Sequence, residues 1–223
     1  MGMLGVVTIG QAPRADLVPD FLHHFGEIAI RQRGALDDLD EKGIQALRPK
    51  AGERVLLTLL RDGSSALVSH ERVAPLVQAS VDQLERDGAS AILLACTDTF
   101  KDLHSNRQLF LPEGLFTHAV TAMATGHRVG VMCPAEEQIP AVREQWEAHL
   151  GPVDVEAVSP YDFSPEVFAS AGQRLASRDC SLIAMDCMAY SVAMKKAVRD
   201  STGLPVLLSR TITARLAAEF LDV

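Results

Sequence analysis

The chain has 223 residues, 48% of them hydrophobic, 5% aromatic and 22% charged, with a formal net charge of −8. That is enough apolar material for one large domain or two compact ones, whereas the negative balance repels a phosphate backbone and the few aromatics offer no base-stacking platform, so nucleic-acid binding is not expected. No apolar run approaches the roughly 20 residues that span a bilayer, the N-terminus carries no basic and apolar leader, and four irregularly spaced cysteines fit reduced thiols better than disulfides; a cytoplasmic protein without membrane contact is expected.

In chain order, Leu4–Gly10 is a β-rich run that stops at glycine, and Gln11-Ala-Pro-Arg14 leads into Ala15–Phe25. There Leu17, Val18, Phe21, Leu22 and Phe25 recur at helical spacing and predict one helix. A second strand is expected at Glu27–Arg31, and a short surface helix within Gly34–Arg48 on Leu36, Leu39, Ile44 and Leu47. Arg54–Leu60 and Ala66–Ser69, joined through an Asp-Gly turn, predict a β-hairpin. Ser69 then caps a helix running to Asp87 on the stripe Val73, Leu76, Val77, Val81 and Leu84, with Gly88 at its end. A strand over Ala91–Ala95 delivers the chain to Cys96. The segment Lys101–Gly114 reads as a polar loop broken at Pro112-Glu-Gly114, followed by a helix over Leu115–Thr125. Beyond it come a strand and loop within Val129–Glu136, a helix bearing Ile139, Val142 and Trp146, a strand at Val153–Val158 and a helix at Pro165–Ser177. Leu182–Met185 is the strand that ends at Cys187. A helix over Ser191–Asp200, a strand at Pro205–Leu208 and a helix at Arg210–Leu221, packing back on the first domain, complete the chain.

Two internal echoes organise these elements. Gly5-Val-Val and Gly130-Val-Met open matching strand-loop-helix units, and both Ala91-Ile-Leu-Leu-Ala-Cys96 and Ser181-Leu-Ile-Ala-Met-Asp-Cys187 are apolar runs that end in cysteine. Such runs fit strands buried on both faces of a parallel sheet. The expected fold is therefore α/β, with two pseudo-symmetric three-layer domains and mostly parallel sheets. Residues 1–100 with 208–223 form the first domain, 101–207 the second, and the hairpin near 54–69 is an addition peculiar to the first. Open α/β sheets bind ligands outside the carboxyl ends of their strands, where a helix N-terminus would favour a thiolate. If the two copies face each other across a cleft, one thiolate removes a proton from a substrate carbon while the other thiol delivers one to the opposite face. A single cysteine is more often a small buried residue; a matched pair in a repeated context favours chemistry.

Val7-Thr-Ile-Gly-Gln-Ala-Pro-Arg14, Val55-Leu-Leu-Thr-Leu-Leu-Arg-Asp62, Asp186-Cys187, Pro205-Val-Leu-Leu-Ser-Arg210 and Ala214-Arg-Leu-Ala-Ala-Glu219 resemble the AroM family, over essentially the whole chain. The resemblance implies the fold of the aspartate/glutamate/hydantoin racemase group, two pseudo-symmetric α/β domains with one cysteine from each at a shared cleft. Ala95-Cys96-Thr97 is similar to that group's first-cysteine motif, with its Asn absent, and Asp186-Cys187-Met188-Ala189 is similar to the second, with Asp186 where Gly is usual. Thr8, Gly10 and Gln11 sit where the group holds the polar end of its substrate.

Cys96 and Cys187 are thus the candidate catalytic residues, and Thr8, Gly10, Gln11, Thr97, Asp98, Met188, Ala189 and Tyr190 the candidate substrate-binding residues. Arg14 is an anion ligand or a solvent-facing residue of a helix's first turn; Cys133 and Cys180 are structural. The absence of nucleotide, dinucleotide and zinc motifs argues for no cofactor and no metal. The leading expectation is a cofactor-independent racemase or isomerase acting on a small, anionic carboxylate or hydantoin-like molecule, with a homodimer as the candidate assembly. Its alternatives are a binding or regulatory protein that has lost turnover, and a lyase or decarboxylase that uses one thiol.

Overall fold

The structure is a computed structural model that describes residues 2–17 and 20–223, and it divides into two compact units: Met1–Glu113 with Ala217–Val223, and Gly114–Leu216. No helix among the described residues is long and apolar enough to cross a membrane.

The first unit contains β1 (Met3–Thr8), β2 (Ile30–Gly34), α1 (Glu41–Ala46), β3 (Val55–Leu59), β4 (Ser65–Ser69), α2 (His70–Arg86), β5 (Ala89–Leu94) and β6 (Gln108–Phe110). Its main sheet has the order β2-β1-β5-β6 with every pairing parallel. Val73, Val77, Val81 and Leu84 of α2 are buried together with Val7, Ile9, Ile92 and Leu94 of the sheet. Burying each such side chain contributes roughly 1.5–3 kcal/mol, which outweighs the helix propensity lost at each valine, at most about 0.7 kcal/mol. Gly5 lets this helix approach: a Cβ there would lie 3.0 Å from Leu84 Cδ1. β3 and β4 form a separate antiparallel hairpin. Its turn is closed by Leu60 N–H to Ser64 O at 2.8 Å, with Gly63 at φ 87°, a conformation that favours glycine.

The second unit follows α3 (Pro112–Met123) with β7 (Val129–Cys133), α4 (Ile139–Leu150), β8 (Asp154–Ala157), α5 (Pro165–Ala176), β9 (Leu182–Met185), α6 (Val192–Thr202), β10 (Val206–Leu208) and α7 (Ser209–Leu221). Its parallel sheet has the order β8-β7-β9-β10. Alternation along the strands gives three layers. Met132, Ile183 and Met185 pack with Phe168, Leu175, Met194 and Val198, while Val131, Cys133, Leu182 and Ala184 pack with Phe116, Val120 and Trp146. Gly130 repeats the role of Gly5, since its Cβ would lie 3.0 Å from Leu175 Cδ1. The strands therefore correspond in the order β1 to β7, β2 to β8, β5 to β9 and β6 to β10. The internal echo in the sequence is a repeated topology.

Several boundaries differ from expectation. In place of one helix over Ala15–Phe25 there are two 3-10 turns, Ala15–Leu17 and Leu22–Phe25; Val18 and Pro19 lie outside the described residues. Apolar spacing is blind to Pro19, and proline has no N–H to give to a helical ladder. The second strand runs over Ile30–Gly34 rather than Glu27–Arg31. Gln108–Phe110, read as loop, pairs in parallel with β5, and Pro112, read as a break, is the first residue of α3. A three-residue strand is too short to show alternation, and proline suits a helix's first position. With β6 in the first sheet, the first unit extends to residue 113 rather than 100. Residues of α7 up to Leu216 fall in the second unit, rather than the chain crossing back at 208. The final residues return to the first unit, where Phe220 meets Phe110 edge-on at 5.5 Å.

Candidate active site

Each candidate cysteine is the first residue beyond the last ladder hydrogen bond of its strand. Ala95 N–H reaches Val7 O at 2.7 Å, and Asp186 N–H reaches Met132 O at 2.9 Å; Cys96 and Cys187 follow. Both are half-buried thiols. Each sulfur takes a hydrogen bond from the backbone N–H two residues on, Asp98 to Cys96 Sγ and Ala189 to Cys187 Sγ, both at 3.4 Å. The helix N-terminus expected after each cysteine is not the local donor. Residues 97–107 contain no helix, and α6, capped by Ser191, begins only at Val192. The chain instead turns tightly at Cys187, with Tyr190 N–H bonded to Cys187 O at 3.1 Å.

The remaining candidates fall into two groups. Thr97 and Asp98 are half-buried beside Cys96. The Asp98 carboxylate accepts from Arg54 at 2.6 Å and from Thr99 N–H at 2.6 Å. Burial pushes its carboxyl above the ordinary value, against the pull of Arg54 and His70. Gln11 has both ends of its amide committed, Nε2 to Leu36 O at 3.2 Å and Oε1 from Arg61 N–H at 2.9 Å. It borders a groove of about 1030 Å³ between α1 and the hairpin, whose walls include Leu39, Ile44, Arg48 and Leu60.

The other candidates are buried. Gly10 is buried and leaves no room for a side chain, because a Cβ would meet Leu59 O at 2.2 Å. Thr8 is buried, with its hydroxyl near Gly10 N (3.4 Å) and Arg14 Nη1 (3.3 Å). Met188 and Ala189 are buried. Tyr190, expected to line the pocket or cap a helix, is fully buried against Phe168, with its hydroxyl donating to Val158 O at 2.8 Å. That burial holds the phenol far above its usual pKa. Arg14 is not solvent-facing: it is 4% exposed and grips Asp16 with two bonds of 2.7 Å. Cys133 and Cys180 are buried, and burial pushes their thiols up to about 12 and about 11.

The model of the family described as AroM protein matches residues 4–221. The chain belongs to the AroM family. No curated protein sequence matches it. Among solved structures, it is similar to an aspartate racemase homologue from Pyrococcus horikoshii OT3, at 12% identity, TM-score 0.62 and 100% coverage of both chains. It is also similar to allantoin racemase from Pseudomonas fluorescens (14%, TM-score 0.59, 99% of this chain and 90% of that one). Unliganded arylmalonate decarboxylase matches at 14% identity and TM-score 0.56, over 99% of this chain and 93% of that one. The AroM chain thus has the Asp/Glu racemase-like fold.

Several residues of this AroM chain matter to the cysteine loops although the sequence did not single them out. Arg54 holds Asp98. Arg210 is 1% exposed and donates from Nε to Met188 O (2.8 Å) and from Nη2 to Ala189 O (2.9 Å). His70 Nε2 lies 3.0 Å from Thr99 O, with its ring 4.5 Å from that of Phe100. Trp146 Nε1 donates to Asp186 Oδ2 at 2.7 Å, so the carboxylate before Cys187 is engaged on the α4 side of the sheet. A second cavity, of about 470 Å³, lies between α2 and residues 100–103; Cys96 lines neither it nor the groove. No group of three or more His, Cys, Asp or Glu side chains among the described residues could hold a metal.

Proposed function

We infer that this AroM protein is a cofactor-independent racemase or isomerase acting on a small carboxylate or hydantoin-like substrate, with Cys96 and Cys187 as its acid/base groups. One observation carries the reading: the two sulfurs occupy corresponding positions in corresponding sheets, each half-buried and each accepting the N–H two residues on. One thiolate takes the proton from a carbon beside a carbonyl, and the C–H electron pair delocalises onto that carbonyl. The other thiol then protonates the opposite face and is left as the thiolate, ready for the reverse passage. Cys133 and Cys180 are poor candidates for either role, because thiols pushed up to about 12 and about 11 stay protonated near neutral pH.

A second reading uses one thiol to protonate a carbanion left by bond cleavage, as a lyase or decarboxylase would. The unequal loops favour it, since Cys187 sits in a hydrogen-bonded turn whereas residues 97–107 beyond Cys96 contain no helix or tight hairpin. Incubation in heavy water with both enantiomers of aspartate and glutamate and a set of 5-substituted hydantoins separates the readings. Paired acid/base chemistry places deuterium on the reacting carbon of at least one compound, and a variant with both cysteines replaced by serine does not. Absence of exchange across the set counts against the racemase reading and in favour of one-thiol chemistry or binding without turnover.

A further inference from the structure

We propose that Arg54 and Arg210 are positioning residues, one for each thiol, that hold the peptide whose N–H is given to the sulfur and set how readily that sulfur ionises. The proposal rests on the reading of Cys96 and Cys187 as the acid/base pair. In the first unit, the N–H bonded to Cys96 Sγ belongs to Asp98, and Arg54, immediately before β3, fixes the Asp98 side chain at 2.6 Å. The same carboxylate oxygen accepts Thr99 N–H, so the backbone at 98 and 99 is folded around one anion held by one cation. In the second unit, the N–H bonded to Cys187 Sγ belongs to Ala189, and Arg210, the second residue of α7, donates to the carbonyls of Met188 and Ala189. Different local chemistry reaches the same result in both units: a guanidinium from a distant segment pins the residue two places after the cysteine.

Burying a guanidinium is costly unless its donors are satisfied. Arg210, wholly buried, donates to two consecutive carbonyls of the cysteine turn and so fixes the peptide that carries the Ala189 N–H. Arginine suits that role, because its planar fork fixes direction and its charge persists at any working pH. A fixed N–H donor favours the thiolate over the thiol. The sequence does not reveal the correspondence, since one arginine precedes its cysteine by a strand, a hairpin and a helix, while the other follows from the next helix but one.

The test is alkylation of the full-length protein with iodoacetamide from pH 5 to 10, with each cysteine followed separately by peptide mass spectrometry. Arg54→Gln is expected to slow Cys96 roughly tenfold at pH 7, one pH unit of lost thiolate, and to move its reactivity profile to higher pH, with Cys187 unchanged. Arg210→Gln is expected to do the same to Cys187 alone. Arg54→Lys restores most of the Cys96 rate, because the charge returns. Arg210→Lys keeps the charge but loses the fork, and slows Cys187 about threefold, the scale of one lost hydrogen bond; it also serves if Arg210→Gln does not fold. Unchanged profiles overturn the proposal, as does an equal change at both cysteines in each variant, which would mark general loosening. The measurement uses no substrate. A negative heavy-water experiment would remove the racemase reading and leave this result standing, while unchanged alkylation would remove the arginine proposal and leave that reading standing.

Discussion

The two units are built on one plan and furnished differently. Both have four parallel strands in corresponding order, a glycine in the first strand packed under a leucine of the helix that precedes the cysteine strand, and a cysteine just past the last ladder bond. The first unit adds the β3–β4 hairpin and surrounds its thiol with charge, in Arg54 and Asp98. The second packs Cys187 against a buried cluster that includes Phe168 and Tyr190, with Arg210 on the carbonyls of its turn and Trp146 on the neighbouring Asp186. What the plan retains is the position of sulfur, its N–H donor and an arginine on the loop beyond it; what it varies is how that arginine reaches the loop and what else surrounds it. A feature retained against so different a background is the better guide to chemistry.

The comparison can be tested at several levels. The largest effect is expected from replacing either sulfur: Cys96→Ser and Cys187→Ser should each lower turnover by roughly 10²–10⁴-fold, the usual worth of a general acid or base, once the heavy-water panel has supplied a substrate. Equal losses support paired chemistry, whereas near-normal turnover in one variant would select the one-thiol reading.

Next in size is Gly10→Ala. Its Cβ would lie 2.2 Å from Leu59 O and 2.3 Å from Thr58 Oγ1, so urea denaturation should show a loss of about 3 kcal/mol or more. Normal stability would contradict the close approach of β1's loop to the hairpin. Gly5→Ala and Gly130→Ala should cost less, about 1–2 kcal/mol each, and nearly the same amount, because each new methyl meets a leucine side chain at 3.0 Å. A large inequality would break the equivalence of the two first strands.

A further effect is in the pH dependence of stability. Cys133 has its thiol pushed up to about 12 from an ordinary 9.0 by burial, so the folded protein keeps a proton that the unfolded chain releases first. Its contribution is intact below pH 9 and is lost as the pH climbs toward 12. The melting temperature should therefore fall between pH 9 and 11, and fall less steeply in Cys133→Ala. An unchanged slope would place that thiol in contact with solvent.

Much of this plan is legible in the sequence, because it is written in local terms. The apolar runs ending in Cys96 and Cys187, the α2 stripe and the pairing of Gly5 with Gly130 all follow from periodicity and from what a buried strand requires. The less legible features depend on distant partners. β6 is three residues long and is a strand only because β5 offers it a ladder. Arg14 looks like a surface residue until Asp16 and Thr8 close around it. Tyr190 looks available until Val158 O and Phe168 claim it. Arg54 and Arg210 are linked to their cysteine loops only by the fold.

The central claim, that these two sulfurs can reach one substrate carbon, is most directly tested by treating the protein with dibromobimane, which becomes strongly fluorescent when two nearby thiols displace both bromines. Paired acid/base chemistry predicts a fluorescent product with the mass of a single chain, in which the Cys96 and Cys187 peptides are bridged and Cys133 and Cys180 are unmodified. Singly alkylated Cys96 and Cys187 with no bridged peptide would contradict it.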